Sequence, residues 1–459
     1  MLNQLFFKYG VYFPVVFLRG ERVPTYLKKL MHSQFCTYEQ LKELQLKKVN
    51  ALLSYAQNNV PYYRETIQTS SLQTLQNLDT IPFIDKNILR NNQQQLIADT
   101  VEAGVTKKTT GGSTGAPVTI AKSKDAMAQE LAAAWRGFSW AGINIGDKQG
   151  KFWGVPHSPK EKRRAKLIDF VCNRYRCSAF SFNEQDLEKY YLKLKRFRPR
   201  YFYGYVSMLI QFANFIKKNG LDLPCSLQCI ITTAEVLSES DRKLLHDVFR
   251  CKVYNEYGCG EIGTIAHECE EGNLHINDEN IIIEVVNAEG APLKPGKLGE
   301  IVVTELNNFS MPLIRYRLAD YGMLSTKKCS CGRELKVLEK VAGREYDFLV
   351  NSKGQRFHGE FFLYIIEDIK NMGALLHGVQ FVQNAIDQLT INIVPHGELD
   401  KTFKKIIVNQ IHKDFDPKIQ VDIIEVNQIH RENSGKLRVI KNCIGSELAN
   451  LATGSSSDS

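Results

Sequence analysis

The apolar residues Leu41, Leu44, Val49, Leu52, Leu53 and Ala56 recur at helical spacing, and Val60-Pro61-Tyr62-Tyr63 ends the run. This pattern predicts an N-terminal layer of helix. Farther along, 125–136 and 206–216 carry helical patterns, whereas Cys229-Ile230-Ile231-Thr232 and Lys252-Val253-Tyr254 are short apolar runs of the kind that forms buried strands. Such alternation predicts an α/β domain. From His275 to Asn287 and from Leu298 to Thr304 the pattern turns to strand, with turns at Ala288-Glu289-Gly290 and Lys294-Pro295-Gly296, so a smaller β unit is appended. Beyond Gly343, strands near 379–382 and 389–394, a helix over 400–413 and a strand over 419–426 predict a compact α+β module. The expected organisation is a large domain over 1–342, a small α+β domain over 343–451 and a polar, disordered tail over 452–459.

At 459 residues and 43% hydrophobic, the chain can bury more than one core. Its 11 cysteines are odd in number and scattered, unlike the framework of a secreted disulfide scaffold, so a reducing cytoplasm is expected. The net charge of +9 suits anionic ligands such as nucleotides, coenzyme A or a membrane surface. Besides that charge only Arg196-Phe197-Arg198-Pro199-Arg200 points toward nucleic acid, and without a recognition motif no nucleic-acid partner is expected. The apolar start, Leu5 to Leu18, is interrupted by Lys8, Gly10 and Pro14 and is too short to span a bilayer. It is expected to pack on the body of the protein, with peripheral membrane contact as the alternative. It lacks the basic front end and cleavage site of a secretory signal. The run from Lys160 to Lys166 reads as a solvated helix face, or as a surface for the phosphates of coenzyme A or a lipid-linked glycan.

Candidate chemistry is concentrated in a few turns. Thr109-Thr110-Gly111-Gly112-Ser113-Thr114-Gly115-Ala116-Pro117 joins glycines, which let backbone N–H groups turn inward, to hydroxyls that follow phosphate oxygens. No Lys-Ser/Thr pair follows the last glycine, so it is not a Walker A motif. Tyr257-Gly258-Cys259-Gly260-Glu261 puts a carboxylate just past a tight turn, where it can hold Mg²⁺ beside phosphate. Arg315 to Gly322 presents Asp320 after a strand, suited to ribose hydroxyls. Gly343-Arg344-Glu345-Tyr346-Asp347-Phe348 sits at the domain boundary. Near the C-terminus Glu432-Asn433-Ser434-Gly435-Lys436-Leu437-Arg438 sets a lysine on a flexible loop, placed to meet developing negative charge. Singly, each is also what a solvated turn looks like.

As an ordered set, these motifs resemble the acyl-adenylating superfamily of acyl-CoA synthetases, adenylation domains and luciferases, and within it the phenylacetate-CoA ligase and CapK-type capsule biosynthesis branch. The resemblance covers nearly the whole chain, including Asn58-Asn59-Val60-Pro61-Tyr62-Tyr63-Arg64. It implies a large adenylate-forming domain with a mobile C-terminal lid, and the reaction of a small-molecule carboxylate with ATP and Mg²⁺ to an acyl adenylate. The acyl group then passes to coenzyme A, or to an amine or hydroxyl acceptor in the CapK-type alternative. A non-catalytic nucleotide-binding relative is the remaining alternative, set against the joint presence of Glu261, Asp320 and Lys436. By the same likeness Thr110, Gly112, Ser113, Thr114 and Gly115 embrace the triphosphate and Glu261 coordinates magnesium. Tyr257 and Gly258 line the nucleotide site, Asp320 and Arg344 grip the ribose, and Lys436 is the adenylation lysine. Thr233-Ala234-Glu235 matches the adenine-side segment with threonine in place of the usual glycine. At the hinge, Tyr346 takes the place of the usual first aspartate, leaving Asp347 as the alternative pivot.

Trp135, Phe152, Trp153, Tyr203 and Tyr205 fall where the family places its acyl pocket, although such aromatics suit core packing equally. Finally, Cys329-Ser330-Cys331-Gly332 is a C-x-C turn, and His267-Glu268-Cys269 with His275 stands upstream. Cys269, His275, Cys329 and Cys331, with His267 in reserve, are the expected ligands of a structural zinc.

Overall fold

The computed structural model describes residues 2–101, 105–109, 118–154, 159–179, 184–344, 348–353, 356–395, 397, 399–430 and 437–444. The helix Tyr38–Asn59 starts at a capping box: the Gln40 amide donates to the Thr37 hydroxyl, and the Gln40 side chain accepts from the Thr37 amide. Its buried face is Leu41, Val49, Leu52, Leu53 and Ala56, joined by Gln45. Val60 is extended, as a residue before proline must be, and Pro61 opens the next helix, Pro61–Thr66.

The central strands are β1 Thr106–Thr109, β2 Thr119–Lys122, β3 Gln149–Trp153, β4 Arg174–Ser178, β5 Tyr201–Tyr205, β6 Cys229–Thr233, β7 Lys252–Cys259, β8 Gly263–Glu268 and β9 Leu274–Ile276. A seven-stranded sheet runs β4-β3-β5-β6-β7-β8-β9, parallel from β4 through β7 and antiparallel beyond. Helices cover both faces. Helix Lys124–Trp140 lies over Tyr201, Cys229 and Ile231 on one side, and helices Glu184–Phe197, Val206–Lys218 and Glu239–Phe249 enclose Phe152, Phe202, Phe212 and Phe249 on the other. This is a doubly wound α/β domain, whose ligands are expected at the carboxyl ends of the strands.

The appended β unit is an antiparallel meander of β10 Ile281–Val286, β11 Gly299–Glu305, β12 Tyr316–Leu324 and β13 Leu338–Arg344. Two expectations are corrected here. The strand read from His275 to Asn287 is broken at Asn277–Asn280, whose polar side chains are buried yet hydrogen-bonded: Gln45 donates to Asp278, and Arg136 to Asn277 and Glu279. Asp320 lies inside β12 rather than after a strand, because Ala319 at φ +58° and a bulge opposite Glu300–Val302 carry the strand past it.

The C-terminal module has β14 Phe348–Val350, β15 Arg356–His358, β16 Leu376–Ala385, β17 Gln388–Pro395, β18 Gln420–Glu425 and β19 Ile440–Asn442. Its four-stranded sheet is ordered β18-β17-β16-β19, and helices Gly359–Asn371 and Lys401–Asp414 pack with it around Phe362, Phe381, Ile391 and Ile407. The N-terminal stretch is helical over Leu2–Leu18. Tyr12 and Val16 are buried on its inner side, whereas much of its outer side is apolar and exposed.

Candidate nucleotide and acyl site

Strands β1 and β2, on either side of 110–117 in the sequence, form a hairpin in which Thr109 faces Thr119 and Thr106 faces Lys122. Lys122 is fully buried and donates to Glu130 at 3.0 Å, Glu305 at 2.9 Å and the Ile262 carbonyl at 2.8 Å. Lys108 meets the other oxygen of Glu130 at 2.5 Å. Two carboxylates and a hydrogen-bonded carbonyl around Lys122 offset its desolvation, and its ammonium is held above the ordinary lysine range. The same Glu130 packs on Gly263, at φ +100°, where a Cβ would lie 2.2 Å from the carboxyl carbon. One buried ionic network therefore joins β1 and β2 to the turn after Glu261.

Glu261 is buried beyond the end of β7 and accepts from the Tyr316 hydroxyl at 3.3 Å, with Lys86 Nζ at 4.0 Å. Tyr257, on β7, donates its hydroxyl to Asp320 Oδ2 at 2.7 Å, and Asp320 stands directly across the β12–β13 ladder from Arg344. Gly258 is needed at the crossing, since a Cβ there would lie 2.4 Å from the Gly263 carbonyl oxygen. At the end of β6, Thr233 is followed by Ala234 at φ +69° and by Glu235, whose carboxylate accepts from the Ser207 amide at 2.7 Å and its hydroxyl at 3.0 Å. The Leu437 amide of the C-terminal module donates to the same carboxylate at 2.9 Å. Lys370 of that module reaches Asp241 at 3.2 Å. Thus Glu261, Tyr257, Asp320 and the Arg344 backbone lie around one edge of the large domain, and Thr233–Glu235 meets the C-terminal module. Thr110, Gly112, Ser113, Thr114, Gly115, Tyr346, Asp347 and Lys436 lie outside the described residues.

The aromatic candidates separate. On β3 successive side chains alternate, so Trp153 and Phe152 point to opposite faces. Phe152 is buried among Phe202 and Phe212 and is core, a correction to its placement with the acyl pocket. Trp153 stacks on Tyr203 at 5.7 Å and lies 4.4 Å from Tyr205. Trp135 borders them beside Phe138, with its Nε1 donating to the Tyr12 hydroxyl at 2.9 Å. Sequence reasoning did not single out two charged groups on this face. Lys151 Nζ sits over Trp153 at 4.5 Å and Tyr203 at 5.3 Å, and desolvation, reinforced by Arg174 and Arg176, pushes its ammonium well below the usual lysine range. Glu256 accepts from Thr264 at 2.5 Å, and burial raises its carboxyl. Period-2 alternation along β3 was the signal for Lys151, which shares a face with Trp153. Lys122, Glu130, Lys86 and Tyr316 carried no comparable signal.

The sulfur cluster forms as a group. Ligand atoms of Cys269, His275, Cys329 and Cys331 all lie within 4.8 Å of one another. Cys269 and Cys329 sulfurs are 3.6 Å apart, and His275 Nε2 is 3.2 Å from Cys331 Sγ. His275 Nδ1 is 3.0 Å from the Leu335 carbonyl, an outer contact that orients Nε2 into the cluster. His267, the reserve ligand, is excluded: its Nδ1 faces the Glu268 carbonyl at 2.9 Å and its ring packs against Gly137, Phe138 and Trp140.

Residues 349–443 match the family model described as the CapK C-terminal domain. Protein CapK of Staphylococcus aureus is 25% identical over 401 residues, covering 84% of this chain and 85% of that protein. A phenylacetate-coenzyme A ligase of Thermus thermophilus is 26% identical over 332 residues, 68% of this chain and 72% of the relative. In fold, the chain is similar to 2-hydroxyisobutyryl-CoA ligase in its postadenylation state in complex with R3-HIB-AMP, with a TM-score of 0.73 at 17% identity over 91% of this chain and 94% of that one. Against the same ligase in its thioesterification state the TM-score is 0.57, at 17% identity over 92% and 94%. Motif order and these relatives point the same way: over most of its length the chain is similar to CapK and to phenylacetate-CoA ligases, and its C-terminal module matches the CapK C-terminal domain.

Proposed function

We propose that this protein is an AMP-forming carboxylate ligase that activates a carboxylic acid as its acyl adenylate and hands the acyl group to coenzyme A. The observation that carries this reading is the Leu437–Glu235 hydrogen bond. It anchors the residue after Lys436 at Glu235, which follows Thr233 and Ala234, on the side expected for adenine. In the first half-reaction a carboxylate oxygen attacks the α-phosphorus of ATP, forming a C–O–P linkage as the bond to pyrophosphate breaks. The carboxylate is already the nucleophile, so the protein's contribution is alignment and charge neutralisation. Lys436 supplies a cation, Asp320 and Arg344 hold the ribose, and the 110–115 loop holds the phosphates. Glu261, a hard oxygen donor beyond a strand end, suits Mg²⁺, which binds through one or two carboxylates plus substrate phosphates and supplies charge neutralisation there. In the second half-reaction the thiol sulfur attacks the acyl carbon, loses its proton and releases AMP. The hinge is placed at 343–347, where the small domain would turn between the half-reactions.

The acyl pocket is assigned to Trp153, Tyr203 and Tyr205, bordered by Trp135, with Lys151 and Glu256 as its polar groups. A structural Zn²⁺ is assigned to Cys269, His275, Cys329 and Cys331: three thiolates and one imidazole make the donor set of a closed tetrahedral site. The compartment is proposed to be the cytoplasm. An amine or hydroxyl acceptor is the second reading, favoured by the CapK match of the C-terminal module over 349–443. Pyrophosphate release should be measured across aryl, fatty, amino and uronic acids, with coenzyme A or an amine offered and the product weighed. Carboxylate-dependent release with a thioester product supports the ligase. An acid that is adenylated without thioester formation transfers the reading to the second acceptor class, and no carboxylate-dependent release removes both.

A further inference from the structure

Leu2, Leu5, Phe6, Tyr9, Phe17 and Leu18 lie on the solvent side of the N-terminal helical segment, with Phe17 and Leu18 exposed to 81% and 83%. Leu2, Leu5, Phe6 and Tyr9 recur at three- and four-residue steps, so they form a stripe where an ordinary surface helix is polar, and Phe17 and Leu18 add exposed apolar surface at the end of the segment. The segment is not a loose end. Gln4 donates to the Ile145 carbonyl at 2.5 Å, Asn173 donates to Asn3 at 3.1 Å, and Trp135 donates to Tyr12 at 2.9 Å. Gly146 permits this docking, for a Cβ there would lie 2.3 Å from the Gln4 carbonyl oxygen. Helix Pro159–Val171 extends the stripe: Leu167 and Phe170 are exposed, and the Phe170 ring meets Phe7 at 5.7 Å.

The rim is cationic. Lys162, Arg163, Arg164 and Lys166 are exposed on the helix that carries Leu167. Residues 1–38 hold Lys8, Arg19, Arg22, Lys28 and Lys29; Arg19 is paired with the buried Glu21 at 2.7 Å and Arg22 with Asp125 at 2.6 Å, which leaves the three lysines. No helix among the described residues is long and apolar enough to cross a membrane. We propose that this face docks on the surface of a bilayer containing anionic lipid, the apolar stripe entering the interfacial layer and the flanking cations meeting phosphate headgroups. A second copy fits less well, because a two-fold interface places the same patch on both partners and sets these cations against one another. The proposal stands apart from the adenylation reading.

The test is co-sedimentation of the full chain with phosphatidylglycerol–phosphatidylcholine vesicles and with phosphatidylcholine vesicles. Binding should favour the anionic vesicles and weaken with salt. Phe6→Ser, Phe17→Ser and Leu18→Ser together should weaken it by more than about tenfold, since these side chains have no core to lose but much apolar area to insert. Arg163→Gln, Arg164→Gln and Lys166→Gln together should weaken binding to the anionic vesicles by on the order of a hundredfold. Unchanged thermal unfolding in both variants, and unchanged pyrophosphate release in the apolar variant, keep the comparison clean. Failure of the wild-type chain to bind anionic vesicles overturns the proposal, as does undiminished binding by the apolar variant. Lipid-free self-association that the apolar variant abolishes would assign the face to a second copy instead.

Discussion

Lys122→Met tests whether the buried network at the β1–β2 hairpin is structural. Methionine keeps the length and the methylene packing of the side chain and removes only the ammonium. Glu130 keeps Lys108, but Glu305 loses the cation at 2.9 Å and has no other ion-pair partner among the described residues. Removing one member of a buried pair costs about 3–5 kcal/mol, because the surviving charge stays desolvated. At about 2–4 °C per kcal/mol the midpoint should fall by roughly 6–20 °C, nearer the lower figure for a large domain. The pH dependence carries the sharper signature. Burial already holds the Glu305 carboxyl above the ordinary range, and Lys122 opposes that shift. Without Lys122 the carboxyl rises further. Between its unfolded and folded pKa the native state then binds the extra proton, so stability falls as pH rises through that window. Scanning calorimetry should therefore show a larger deficit for the variant at neutral than at mildly acidic pH, and adding Glu305→Gln should recover part of it. A deficit under about 1 kcal/mol, the size of an ordinary substitution, or one that does not narrow on acidification, would refute the network's role.

Lys436→Ala should cut adenylation by roughly two to four powers of ten while ATP still binds, as loss of a preorganised charge predicts; near-normal pyrophosphate release would take the lysine out of the reaction. Asp320→Asn should raise the KM for ATP by on the order of tenfold or more, the scale of a charged hydrogen bond, and an unchanged KM would move the ribose elsewhere. Protein purified without chelator should contain about one zinc per chain, lost in Cys329→Ser with Cys331→Ser together with some thermal stability. Metal-free protein of full stability would end that assignment.

Much of the fold was legible because the core is periodic. The runs at Cys229 and Lys252 are strands β6 and β7, and the helix Tyr38–Asn59 follows its apolar stripe. Glycine-bearing turns made the likeness to CapK and phenylacetate-CoA ligases legible through their order. Most of the misses share one cause, polar groups that are buried in the fold but read as surface in the sequence. Asn277 to Asn280 broke an expected strand because partners distant in sequence meet their side chains: Gln45 and Arg136 bond Asn277, Asp278 and Glu279, and Asn307 donates to Asn280. Asp320 looked like the acid of a turn, but a bulge keeps it inside β12 under the Tyr257 hydroxyl. Lys122 and Lys151 are ordinary lysines in sequence, and only the packing of the sheet surrounds one with carboxylates and the other with aromatic rings. Phe152 failed as a pocket residue for the converse reason: strand alternation turned it away from Trp153 into the core.

The central claim is that a carboxylate oxygen of the substrate attacks the α-phosphorus of ATP at this site. An acid shown to support pyrophosphate release should be supplied with ¹⁸O in its carboxyl group, and the AMP collected after acyl transfer should be weighed. The account predicts AMP carrying a single ¹⁸O, because the bridging oxygen stays with phosphorus when the acyl carbon passes to the thiol. Unlabelled AMP, or label recovered in inorganic phosphate beside ADP, would contradict it.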